Sequence, residues 1–430
     1  MINTIENKKI NEKYYKIKHP TGLDIFVFPK PGFQKVHAIF ATKYGSIDNK
    51  FKRSDKNSVV KVPDGIAHFL EHKMFESETE DAFERYARTG ASANAYTSYD
   101  KTAYIFSATE NIKESLEILL DFVQEPYFTK ETVEKEQGII AQEIRMCEDN
   151  PSGRVFVNLM AALYKKHPVN TFIAGTVESI GKIDYKLLYK CYETFYNLHN
   201  MALFVCGDVT VSDIMEVADK TLKPCEEFEI ERFYGEDDGK VKRRVIQQEL
   251  EVSKPLFIFG FKDKDTENKG KHFVKKWAES NILLEIISGK SSKFYKSLYQ
   301  KELVNNSFSS EYFAGNGFGV ALFGGCESKD PKKVKSLILS RINRLKKSGI
   351  KEEEFIKAKN LCYGRTIRYF NDVEDIADLM LDAEFMDADI FELVNAYDDI
   401  KIEDVLKRLE FLFRDDNYSL SIINPKSAVE

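Results

Sequence analysis

Apolar residues roughly alternate along "GLDIFVFP" (22–29) and "VHAIFATKYGS" (36–46), so each reads as a strand. The spacing then lengthens. After Pro63-Asp64-Gly65 the run "IAHFLEHKMFE" reads as a helix, and "DAFERYARTG" (81–90) as a short helix stopped by Gly90. The aromatic, Thr-rich "ASANAYTSYDKTAYIFSAT" (91–109) has the character of a hairpin. "NIKESLEILLDFVQEPYF" predicts an amphipathic helix ending near Pro126. "TKETVEKEQGIIAQEIRMCEDNP" predicts another, from Thr129 as N-cap to a stop before Pro151. The buried strand "NMALFVCGDV" (200–209) follows.

This order repeats. A charged, turn-rich stretch, "EEFEIERFYGEDDGKVKRRV" (226–245), separates it from a strand at 255–262, a helix at 277–289 and a short helix ending near Lys301. A hairpin ("NSFSSEYFAGNGFGVALFGG"), the helix "KKVKSLILSRINRL" and "KEEEFIKAKNLCYGRTIRYFND" complete the second series. The last segment lines up with "KETVEKEQGIIAQEIRMCEDN" by element order more than by residue identity. The chain therefore reads as a tandem duplication of one α/β unit, with domains at 1–228 and 246–430 and a linker at 229–245.

Composition narrows the class. With 430 residues, 43% of them hydrophobic, the chain can bury two cores, and 32 Phe and 21 Tyr argue against disorder. Acidic (69) and basic (63) residues nearly cancel, so a nucleic-acid-binding surface is not expected. The charged start, "MINTIENKKINEKYYKIKHPTG", has no apolar core of a signal peptide, and no run approaches the ~18 apolar residues of a membrane span. Six scattered cysteines without a CxxC pair fit free thiols in a reducing cytoplasm.

Chemistry concentrates in His68-Phe-Leu-Glu71-His72. On a helix His68 and His72 stack on one side, where both can bind one Zn²⁺ at about 2.1 Å. Glu71, three residues after His68, reaches the same face and can take a proton from water at the metal. The bland alternative is a packed helix with two satisfied core histidines. Burying two imidazoles and a carboxylate together costs several kcal/mol unless a cation neutralises them, which favours the metal. HxxEH is the zinc-peptidase HExxH pattern reversed. A catalytic zinc takes three protein ligands. In "VEKEQGIIAQEIRM" Glu136 and Glu143 share one helical face beside an apolar stripe of Ile139, Ile140 and Ile144, a context suited to ligand and support.

These motifs resemble the pitrilysin/insulinase family of zinc peptidases (inverzincins), which includes the zinc-bearing subunit of mitochondrial processing peptidase and bacterial relatives. The resemblance covers nearly the whole chain. His72 to Glu143 is 71 residues, and "NAxT" is matched by Asn94-Ala95-Tyr96-Thr97. It implies an α+β fold of two homologous α/β-roll halves, each an antiparallel-rich sheet covered by helices, closing as a clam-shell around a chamber. It also implies that His68, His72 and Glu143 ligate one zinc, that Glu71 is the general base and that Glu136 orients the site. Asn94, Ala95 and Tyr96 would be the edge to which a peptide substrate adds as a strand.

The family's second half carries an Arg and Tyr that hold substrate. The corresponding "SLYQKELVNNSF" (297–308) has Tyr299 and Asn305 instead, and no Arg lies between Arg244 and Arg341. "NILLEIISG" has no histidine, and Arg365 or a neighbour stands at the ligand glutamate's place. The expectation is the catalytic subunit of a two-subunit peptidase, paired with a homologue lacking the zinc motif, or a homodimer. A non-catalytic assembly subunit that keeps a zinc site is the alternative, disfavoured because it has no need of Glu71.

Overall fold

A computed structural model describes residues 2–78 and 80–426. The fold is α+β, and it divides into two compact units. Unit 1 takes residues 1–144, 172–234 and 367–385; unit 2 takes 145–171, 235–366 and 386–430.

Unit 1 is built on strands β1 (Ile2–Asn7), β2 (Glu12–Lys18), β3 (Asp24–Pro29), β4 (Val36–Thr42), β5 (Lys50–Arg53), β6 (Val60–Lys61), β7 (Ser92–Thr97), β8 (Thr102–Ala108), β9 (Met201–Gly207) and β10 (Ile230–Arg232). Seven of them form one sheet in the order β1-β2-β3-β9-β4-β8-β7, antiparallel except for the β3/β9 pair. β4 ("VHAIFAT") and β9 ("MALFVCG") are buried along their whole length, as strands covered on both faces must be. Helices α1 (Ile66–Lys73), α2 (Ala82–Thr89) and α3 (Ile112–Phe122) contribute to the core shared with Ala38, Phe40, Tyr104 and Phe106. The helix Val373–Phe385 packs on β4 and β9, with Phe385 against Phe204. Its charged ends are tied by Lys35–Glu374, Lys101–Asp382 and Lys16–Glu384 pairs. β10, within the stretch read from sequence as a linker, pairs with β5, and Arg232 and Tyr234 both bond the buried Asp48.

α4 (Lys130–Asp149) leads to α5 (Pro151–Leu163), which packs on the sheet of unit 2. That sheet has the order β11-β15-β12-β14-β13, from β11 (Val245–Leu250), β12 (Leu256–Lys262), β13 (Ser309–Gly315), β14 (Phe318–Glu327) and β15 (Tyr418–Pro425). Gly260 on β12 lets α5 approach, because a Cβ there would lie 2.8 Å from Leu159.

The carboxylate of Asp237 anchors the end of α5. It accepts from the backbone N–H groups of Lys165, Lys166 and His167 at 2.9–3.2 Å and pairs with Lys262 at 3.0 Å. Burial works against that charge, but the N–H donors and the Lys262 ammonium outweigh it and hold the group at about 2. A depressed carboxyl contributes stability that is complete above the ordinary carboxylate value near 3.9 and is lost as pH falls toward 2. Asp237→Asn is therefore expected to be less stable than wild type at neutral pH, with the gap closing in acid. Urea midpoints between pH 7 and pH 3 measure this, and a gap independent of pH would refute it.

Candidate metal centre

α1 holds His68, Glu71 and His72, and its start is fixed by backbone contact. Gly65, its N-cap, has φ 91°, and a Cβ there would meet the Ala174 carbonyl at 2.4 Å. Gly175 (φ 75°) stands as close to the Asp64 carbonyl. Only glycine permits both conformations at such approach, so "PDG" and "AGT" set where the helix begins. Phe69 and Leu70 bury the opposite face of α1 in the unit 1 core.

The two imidazoles lie side by side, with ring centroids 4.6 Å apart and planes tilted by 55°. Across from them, Glu143 on α4 spreads its two oxygens between them: Oε1 lies 3.4 Å from His68 Nε2, and Oε2 lies 3.5 Å from His72 Nε2. One ligand atom from each of the three residues falls within 4.8 Å of the others, the one such cluster among the described residues. Tetrahedral ligation at ~2.0–2.1 Å per bond separates two donor atoms by about 3.3–3.4 Å; each Glu143–imidazole contact is close to that spacing, and two imidazole nitrogens with a carboxylate are donors that suit zinc.

Glu136, two turns before Glu143 and itself buried, contacts His72 Nδ1 at 3.0 Å. An acceptor there keeps the proton on Nδ1 and the lone pair on Nε2, which faces Glu143. His68 Nδ1 is buried with no hydrogen-bond partner among the described residues, so only one imidazole has its tautomer fixed. Burial opposes a charge on His72, but the Glu136 hydrogen bond and the nearby Glu71 and Glu143 carboxylates hold its pKa above the ordinary value. The His68 contact draws the Glu143 carboxyl below its usual range against partial burial. Carboxylates converge on imidazoles here, and a divalent cation would balance that charge.

Glu71 is 8% exposed, and its Oε2 accepts from the Thr97 hydroxyl at 2.8 Å. Thr97 closes the NAYT stretch. Its role is not legible from sequence beyond that motif. Asn94, Ala95 and Tyr96 lie on β7, which borders the sheet and, among the described residues, pairs only with β8. Thr97 and Ala95 point to the α1 face; Asn94 and Tyr96 point to the other. Asn94 Oδ1 accepts from the Ala95 N–H at 2.9 Å. The residues that stand in place of the family's Arg and Tyr lie in unit 2: Tyr299 is 46% exposed, and Asn305 caps the turn at Ser307. Arg365 forms an ion pair with the buried Glu285 at 3.0 Å, joining the helices Gly270–Ser288 and Glu352–Arg368. No helix among the described residues is long and apolar enough to cross a membrane.

A short helix with two histidines and a glutamate, joined by a distant glutamate at zinc-like spacing, defines a candidate hydrolytic metal centre. The chain belongs to the insulinase family of zinc proteases, peptidase family M16: the insulinase model matches residues 61–177, and the "Peptidase M16 inactive domain" model matches 182–362. It is 42% identical over 432 residues to the uncharacterized zinc protease YmfH of Bacillus subtilis, covering 99% of this chain and 100% of that one. The crystal structure of an M16-like peptidase from Alicyclobacillus acidocaldarius superposes with a TM-score of 0.92 at 34% identity, covering 99% of this chain and 100% of the other. The mitochondrial-processing peptidase subunit beta of Bos taurus is 31% identical over 159 residues, 36% of this chain and 32% of that one.

Proposed function

We propose that this chain is a zinc endopeptidase of short or unfolded peptides, with one zinc per chain held by His68, His72 and Glu143. The observation that carries this reading is the triangle of donor atoms with Glu71 fixed on the same short helix. When bound, zinc supplies a Lewis acid that polarises the scissile carbonyl and acidifies the attacking water. Glu71 receives that water's proton at Oε1, since Oε2 is held by Thr97, and delivers it to the leaving amine. Glu136 fixes the His72 tautomer. Asn94, Ala95 and Tyr96 offer main-chain groups on the border strand, where an extended peptide adds as a further strand. Ile139 (46% exposed) lies one turn before Glu143 on α4 and gives an apolar surface beside the site.

The reading extends to a cytoplasmic two-subunit enzyme of which this is the catalytic subunit, built from domains at 1–228 and 246–430. The six free cysteines, four of them buried, support the reducing compartment. Tyr299 and Asn305 in place of an Arg and Tyr support a homologous partner, or a second copy, that supplies substrate-holding groups. Full turnover of a peptide library by the isolated monomer would exclude the partner.

The central test compares zinc content and turnover in wild type and Glu71→Gln. Both are expected to hold one zinc, while the variant's kcat falls by about 10²–10⁴. Unchanged turnover would remove Glu71 as base; loss of zinc from the variant would make it structural.

A further inference from the structure

We infer that Thr97 is a positioning residue that ties the general base to the strand receiving substrate. The inference rests on the proposed peptidase reading and adds a residue to it. Thr97 is the last residue of β7 and sits opposite Thr102 on β8. Its hydroxyl has one proton and two neighbours that could take it: Glu71 Oε2 at 2.8 Å and Thr102 Oγ1 at 3.4 Å. The shorter, charge-assisted bond takes the proton. Thr102 is occupied elsewhere, donating to the Tyr44 carbonyl at 2.8 Å. The order of donors is thereby fixed, with Thr97 serving Glu71 and Thr102 serving the backbone.

The consequence for Glu71 is geometric. One carboxylate oxygen is pinned, the side chain loses its rotational freedom, and the other oxygen is left to accept a proton. The pin belongs to β7 and not to α1. Strand alternation places the Thr97 side chain on the α1 face, while the main chain of the two preceding residues, Ala95 and Tyr96, forms the border of the sheet. A peptide pairing along that border orders the same strand that holds the base, so substrate docking and base placement share one element. Beyond β8, β7 has no neighbouring strand among the described residues, so the free strand holds the base less firmly than the paired one.

Thr97→Val removes the hydroxyl at nearly constant shape, and Thr97→Ser keeps it. Thr97→Val is expected to lower kcat by about 10–100-fold with KM changed less than about 2-fold, and Thr97→Ser to recover activity to within about 3-fold. Zinc content is expected to stay at the wild-type value in both. In the Glu71→Gln background, affinity for a fluorescein-labelled uncleaved peptide, read by anisotropy, is expected to be the same with and without the Thr97→Val substitution. Wild-type kcat in Thr97→Val would overturn the inference. So would equal loss in both variants, a change confined to KM, weakened peptide affinity or loss of zinc, each of which assigns Thr97 to packing, to substrate or to the metal. Failure of the underlying peptidase reading looks different: Glu71→Gln itself then retains turnover.

Discussion

Glu143→Ala is expected to leave a folded protein that no longer retains zinc through dialysis and has no measurable turnover. Glu143 is the one donor that faces both imidazoles, and without it two histidines on α1 remain as a bidentate set. The loss should exceed that in Glu136→Gln, where both donors of α1 and Glu143 survive and only the acceptor behind His72 weakens. Removing such an outer partner costs about 10–100-fold in metal affinity. The two variants thus form a graded series, read by competition with a chromogenic chelator. Equal zinc affinity in Glu143→Ala and wild type would remove Glu143 from the ligand set. Acid should weaken binding by the wild type, because its His72, whose pKa is held above its ordinary value, is protonated below that pKa and cannot ligate.

The largest stability effect is expected in unit 2. Asp263 is fully buried and Arg408 is 5% exposed; they pair directly, with a second contact at 3.4 Å. Arg408 also donates to Ser280 at 2.9 Å, and the Tyr312 hydroxyl donates to Asp263 at 2.7 Å. Burial alone would lower the Arg408 pKa, but Asp263 and its neighbours raise it, so the guanidinium is charged. Asp263→Ala leaves that charge without its counter-ion in the interior and also strands the Tyr312 hydroxyl. Breaking a buried pair in this way costs about 3–5 kcal/mol. Removing both charges, as Asp263→Leu with Arg408→Met, is expected to recover much of the loss, since the desolvation penalty goes with them. Trp277, the single tryptophan, lies on the same helix as Ser280 and reports unit 2 in urea titrations. An unchanged midpoint in Asp263→Ala would show that the pair contributes nothing.

Much of the site is legible in the sequence because it is local. The i, i+4 spacing of His68 and His72 needs only that "IAHFLEHK" be helical, and the structure makes it so over Ile66–Lys73. Glu136 and Glu143 share a helical face for the same reason. The family relationship and the α+β fold follow from these motifs and the element order. What periodicity does not disclose is where each apolar face lands. An amphipathic helix such as Val373–Phe385 shows that it has a buried side, but not that this side meets β4 and β9, strands far earlier in the chain. The parallel pairing of β3 with β9 is equally non-local. β1 ("INTIEN") is mostly polar and β2 ("EKYYKIK") is mostly charged or tyrosine, so neither shows a clear apolar alternation that declares a strand. Thr97 reads as an ordinary hairpin threonine until its distance to Glu71 is known.

The membership of Ile367–Phe385 in unit 1 and of Arg145–Thr171 in unit 2 has a consequence for dissection. A gene split at 229–245 would encode two polypeptides, each missing a piece of its own hydrophobic cover. The first fragment would expose the β4/β9 surface that the helix Val373–Phe385 shields; the second would expose the β12/β15 surface under α5. Expressed singly, both would be expected to aggregate. Expressed together, each holds the segment the other needs, and reconstitution by complementation becomes feasible. The two units are thus mutually dependent, since each carries in sequence a segment that completes the other.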